Sequence, residues 1–209
     1  MKNTSTLRRA ALLGVAAAAM LVVSACGGDM GGMEHGSKPT STAPTTAAPT
    51  GAAFNDADTQ FAQMMIPHHQ QAVEMATLAE TRATEPEIKA LAVAIKGAQD
   101  PEIKTMTGWL LAWGQPTAAP GGGHNMPGMS SQMPGMLSGE EMAKLKAAKG
   151  VEFDRLFARG MIAHHNGAIA MAKDEQAKGK NSDAKALAAV IEKAQAAEVD
   201  KLQKILDRL

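Results

Sequence analysis

Residues 58–110 of the chain return as residues 154–206, without a gap and at a constant offset of 96. Matched pairs include Phe61/Phe157, Met65/Met161, His68/His164, His69/His165, Ala72/Ala168, Met75/Met171, Leu91/Leu187, Ile95/Ile191, Gln99/Gln195 and Glu102/Glu198. The repeat restricts the fold severely: whatever one copy forms the other forms too, and the apolar surface that one copy presents is buried best against its twin. Within each copy the apolar residues recur with the 3.6-residue period of a helix, in two runs separated by a few residues. So short a connection makes the two helices antiparallel. The expected fold is therefore all-α, a four-helix bundle built from two repeated antiparallel helical hairpins, with a long crossover between the halves.

The first helix of each copy carries the chemistry. Met64-Met65-Ile66-Pro67-His68-His69 answers Gly160-Met161-Ile162-Ala163-His164-His165, and a further methionine, Met75 or Met171, follows each histidine pair. At about 100° of turn per residue, Met65, His68, His69, Ala72 and Met75 share one broad face, and Glu74 points away. Met161, His164, His165, Ala168 and Met171 do the same in the second copy. One histidine on an apolar face is usually a core residue. Four of them, duplicated with their methionines, point to metal ligation. Thioether sulfur holds Cu(I) or Ag(I), and imidazole accepts copper in either oxidation state as well as zinc or nickel. Hard cations want carboxylate oxygens, which this face lacks. The expected ligands are His68, His69, Met75, His164, His165 and Met171 with Met65 and Met161. The expected metal is copper, Cu(I) ahead of Cu(II), with other transition metals left open.

Taken in order, the chain opens with Lys2, Arg8 and Arg9, an apolar run from Ala10 to Val23 too short for a comfortable membrane span, and Val23-Ser24-Ala25-Cys26. This reads as an export signal over residues 1–25. Cys26, the sole cysteine, stands where the lipobox of bacterial lipoproteins carries its lipid. It is expected to anchor the protein to a membrane, on the cell surface or the periplasmic side. Removing the signal takes three of the 21 basic residues and none of the 21 acidic ones, leaving a net charge of −3. With no tyrosine and no basic stripe, nucleic acid is not an expected partner. Residues 26–53, rich in Gly, Pro, Thr and Ala, read as a flexible tether.

The remaining residues, 54–209, are expected to form one domain: a first hairpin over 54–115, a crossover over 116–137 and a second hairpin over 138–209. Asn55 is placed to cap the first helix, and Pro67 to bend it. Thr84 and Glu87 make a capping box for the second helix. Its buried stripe runs through Leu91, Ile95 and Ala98, and Asp100-Pro101 is expected to kink or break it. Ser138 with Glu141 caps a short piece, Gly150 allows a break, and the third long helix runs to Lys178. Ser182 or Asp183 starts the last, with Leu187, Ile191, Ala194, Val199 and Leu202 inward. The crossover holds His124, Met126 and Met129, then Met133 and Met136, in two Met-Pro-Gly-Met units without helical or strand period. These five, with Met64, are secondary candidates for soft metals.

The two His-His-x5-Met motifs, the Met-Pro-Gly-Met crossover and Phe153-Asp154-Arg155-Leu156-Phe157 resemble the bacterial family catalogued as domain of unknown function 305, over about Phe54 to Leu209. The resemblance implies a ferritin-like four-helix bundle, exported in many members, with periplasmic copper binding and copper tolerance through His and Met ligands in some. It implies a metal role for His68, His69, Met75, His164, His165 and Met171. The expected function is copper sequestration or transfer without catalysis, with a metal-transfer partner left open. Two other readings stand beside it: a carboxylate-poor di-metal oxidoreductase of ferritin-like type, and a metal-free extracytoplasmic interaction module. No nucleophile triad, phosphate loop or dinucleotide fingerprint occurs.

Overall fold

The computed structural model describes residues 53–117 and 133–209, and these are all helix and connection. The order is α1 Asp56–Arg82, α2 Pro86–Ala112, α3 Gly139–Ala147, α4 Gly150–Lys178 and α5 Ser182–Leu206. The long helices pair as α1 with α2 and α4 with α5, and the hairpins meet mainly through α1 against α4. Asn55 Nδ2, at the start of α1, donates to the Lys178 carbonyl at the end of α4, so these two run antiparallel. Arg208 at the end of α5 pairs with Glu87 at the start of α2, which sets the outer helices antiparallel too.

Local signals account for most of the helix ends. The Asn55 side chain accepts from Ala57 and Asp58 N–H, while Asp58 reaches back to Asn55 N–H, a reciprocal cap that answers the unpaired donors of a helix start. Ser138 and Glu141 do the same for α3. Gly114 takes φ +66 just past α2, and Gly150 φ +63 as it opens α4, backbone that glycine adopts without a Cβ penalty.

Three expectations are corrected. Thr84 does not cap α2: the N-cap is Glu85, with no side-chain bond and Pro86 next. Thr84 N–H and hydroxyl and Glu85 N–H are all taken by the Asp154 carboxylate of α4, an ionic acceptor stronger than a hydroxyl. Pro101 does not break α2, which runs continuously through it, as α1 runs through Pro67. A missing N–H removes one rung, and the packed turns on either side hold the helix. Finally, the inward stripe of α2 and α5 passes one residue further on than expected. Ala98 and Ala194 are exposed, and their neighbours Gln99 and Gln195 are buried.

Asp154 has a counterpart in Asp58, 96 residues earlier. Asp58 accepts from Lys180 and Asn181 N–H at the α4–α5 turn, as Asp154 accepts at the α1–α2 turn. Each hairpin thus holds the other's bend with a buried carboxylate. At the Asp58 end the buried Glu175 carboxyl lies alongside. Burial, then the hydrogen bond to Asp58 and its charge, push Glu175 up to about 8. Burial opposes ionisation of Asp58 as well, but its bonds to Asn181, Glu175, Asn55 and Lys180 hold it below the usual carboxylate range. Glu175 therefore keeps its proton at neutral pH and donates it to Asp58. A Cβ at Gly179 would run into that carboxyl. The matching positions in the first half are Ala79 and Ala83, so a large-plus-small pair replaces two alanines.

The interior has two apolar regions. One gathers Met75, Ala76, Ile88, Leu91, Ile95, Leu137, Leu145, Phe153, Phe157 and Met161 around α3 and the Asp154 latch. The other gathers Phe61, Met65, Ile66, Met106, Leu110, Met171 and Ile191 toward the Asp58 latch. Each fully buried side chain of this size contributes about 1.5–3 kcal/mol. The buried polar residues include all four histidines of the repeat, His68, His69, His164 and His165, with Gln99 and Gln195.

Candidate metal centre

All four histidines of the repeat have zero exposure. His68 from α1 and His164 from α4 meet across the two halves, with ring centroids 3.8 Å apart and planes at 42°. His69 and His165 turn instead toward the second helix of their own hairpin. His69 Nε2 donates to Glu102 Oε2 at 2.8 Å, and His165 Nε2 to Glu198 Oε2 at 2.7 Å. The sequence reading missed these carboxylates. They come from α2 and α5 and not from the helices that carry the histidines. A signal existed: Glu102/Glu198 is an identical pair, while its neighbours Asp100/Ala196 and Lys104/Asp200 differ between the copies.

The inner pair departs from symmetry. His68 Nε2 donates to the Pro134 carbonyl at 3.0 Å, whereas neither ring nitrogen of His164 has a hydrogen-bond partner among the described residues. Pro134 belongs to residues 133–137, a strap of irregular chain laid against α1 and α4. Gln71 of α1 clamps it twice, donating to the Leu137 carbonyl at 2.9 Å and accepting Leu137 N–H at 2.8 Å. Gly135, at φ +78, sits where any Cβ would strike the Ala163 carbonyl, and a Cβ at Gly167 would strike that of Pro134. Gly167 is the repeat partner of Gln71: the two copies differ where the strap crosses.

The methionines divide between the two apolar regions. Met65 and Met171, from different halves, share one; Met75 and Met161 share the other. All four are buried, Met171 at 9% exposure and the rest at zero. Met75 packs with its Cε close to Gly160. Met64 is half-buried and, with Phe61, Met171 and Glu175, lines a surface groove between α1 and α4. Met133 and Met136 are half-buried in the strap. His124, Met126, Met129 and Cys26 lie outside the described residues.

Burial fixes the charge state of the inner rings. It pushes His68 down to about 3, with partial relief from the Pro134 carbonyl and a further push from the neighbouring imidazoles. His164 is held well below the ordinary histidine value by burial and the adjacent histidines. Both rings are neutral at physiological pH, the form that ligates metals. Among the described residues the Nδ1 atoms of all four histidines, with His164 Nε2, are buried without partners. A buried acceptor left unmet costs about 1–3 kcal/mol, and a soft cation held by the touching His68 and His164 would satisfy a lone pair on each. The residues therefore fit copper or silver. Among the described residues no three His, Cys, Asp or Glu side chains gather as a ready-made site.

Fold and site define a class: all-α chains of two repeated hairpins with a buried histidine pair where the halves meet. The chain belongs to the domain of unknown function DUF305 family, which it matches over residues 58–206. No curated protein matches it. Among solved structures it is similar to a DUF305 protein from Streptomyces coelicolor, at 32% identity and TM-score 0.65 over 73% of this chain and 93% of that one. A DUF305 fragment from Deinococcus radiodurans is similar at 31% identity and TM-score 0.66, over 74% and 98%. CopM in its Cu(II)-bound form is similar at 34% identity and TM-score 0.62, over 72% and 96%. CopM has also been solved with Cu(I) and with Ag.

Proposed function

We propose that this chain is an exported, non-enzymatic copper-binding protein that sequesters or passes on copper, Cu(I) in preference to Cu(II). His68, His69, His164 and His165 are the nitrogen ligands, and Met65, Met75, Met161 and Met171 supply sulfur. Cys26 carries the lipid anchor, and residues 26–53 hold the domain off the membrane. Of the described helices, none is long and apolar enough to cross a membrane, so attachment in this reading rests on the lipid. One observation carries the proposal: two histidines from different halves with ring centroids 3.8 Å apart, neutral, buried and with three of their four ring nitrogens unmet among the described residues. The copper-bound CopM relatives support the choice of metal.

The test is metal content of protein purified from copper-supplemented cells. Wild type is expected to carry copper, and a His68→Ala/His69→Ala/His164→Ala/His165→Ala variant to carry none while keeping its helical circular dichroism. Equal copper in both would overturn the ligand assignment. Oxygen-dependent iron turnover by wild type would favour the oxidoreductase reading, and absence of metal uptake with folding intact the interaction module.

A further inference from the structure

Glu102 and Glu198 stand outside the His/Met set, yet both halves place one in the same way. Each is mostly buried, its side chain 14% or 15% exposed, and each accepts from the Nε2 of the second histidine of its hairpin. A carboxylate can only accept, so Nε2 carries a proton. Nδ1 of both His69 and His165 is buried without a partner among the described residues. In each half the protein has oriented an imidazole, chosen its tautomer, and left one nitrogen free.

We infer that Glu102 and Glu198 are positioning residues that present Nδ1 of His69 and His165 to the metal and bias the centre toward the higher charge state of copper. The inference rests on the copper reading above. A carboxylate behind a ligating imidazole raises the ring's basicity, and losing such a partner typically lowers metal affinity about 10–100-fold. Its negative charge attracts a dication twice as strongly as a monocation at the same distance. The carboxylates therefore strengthen Cu(II) binding more than Cu(I) binding, while the soft donors favour Cu(I).

Glu102→Gln/Glu198→Gln isolates the charge, because the amide carbonyl still accepts from Nε2–H. In competition titrations the double variant is expected to lose about 10–100-fold in Cu(II) affinity and only about the square root of that factor for Ag(I), the redox-inert stand-in for Cu(I). A second readout needs no metal. Long-range proton–nitrogen NMR of the metal-free wild type should show His69 and His165 as neutral Nε2–H tautomers, and Glu102→Leu/Glu198→Leu should mix the two tautomers. Wild type that loads no copper defeats the copper reading, while the NMR result still decides the tautomer assignment. Wild type that loads copper, with Cu(II) and Ag(I) affinities falling equally or not at all in the glutamine variant, overturns the inference. So does an Nδ1–H tautomer in the wild type.

Discussion

At the scale of single residues, two buried titrations act on stability with opposite sign. His68 is depressed to about 3 in the folded state and His164 lies well below its ordinary value near 6.5, so the unfolded chain binds more protons as pH falls below 6.5. Their contribution is full above pH 6.5 and is lost as pH falls. Glu175 is raised to about 8 from 4.5, so its contribution is full below 4.5 and is lost as pH rises through 8. Thermal melts across pH should show both limbs. Glu175→Gln, whose amide can still donate to Asp58, is expected to flatten the alkaline limb and leave the acid one. Persistence of that limb in the variant would place its origin elsewhere. The histidines were legible because four copies of one residue type at fixed spacing are improbable as core. Glu175 was not, since a single acid near a helix end looks like solvated surface until Gly179 and Asp58 are seen beside it.

At the scale of elements, the latches and the strap carry the sharpest expectations. Asp154→Ala removes the acceptor for Thr84 and Glu85 and should destabilise by about 2–4 kcal/mol in urea unfolding. Asp58→Ala should behave similarly at the other bend. A loss within experimental error would mean that solvent meets these N–H groups equally well. Gly167→Ala places a methyl group against the Pro134 carbonyl and is expected to cost about 1–3 kcal/mol, with faster hydrogen exchange at residues 133–137. Unchanged exchange would show that the strap shifts freely. Helix positions, the inward His/Met face and the hairpin order could all be read from period and caps. The strap's grip could not, because its bond to His68 comes from a backbone carbonyl, which no residue type signals, and Gln71 reads as an ordinary polar position.

For the whole molecule, the repeat and its departures have separate consequences. Identical pairs build the frame: the helices, the twin latches, the meeting histidines and their carboxylates. Differing pairs build what is asymmetric: Gln71/Gly167 seats the strap, and Ala79/Glu175 with Ala83/Gly179 makes the proton-sharing end. Comparing the copies with each other would have flagged both groups, but not how they fit together, since contacts between halves have no counterpart along the chain. Because the proposed donors come from both hairpins, copper should hold the halves together. A hundredfold excess over Kd is expected to add about 2.7 kcal/mol, read as a rise in Tm that is absent in His68→Ala/His164→Ala. An equal rise in that variant would locate the metal outside the histidine layer.

The segment over His68 differs from the rest of the covering in one mechanical respect. Among the described residues helices close the interior elsewhere, and opening any of them means unwinding a hydrogen-bonded ladder. Residues 133–137 are fastened by the two bonds from Gln71 and the one from His68, together with the packing of Leu137. Among the described residues, this cover of the histidine layer rests on a handful of bonds and one side chain, and on no helical ladder.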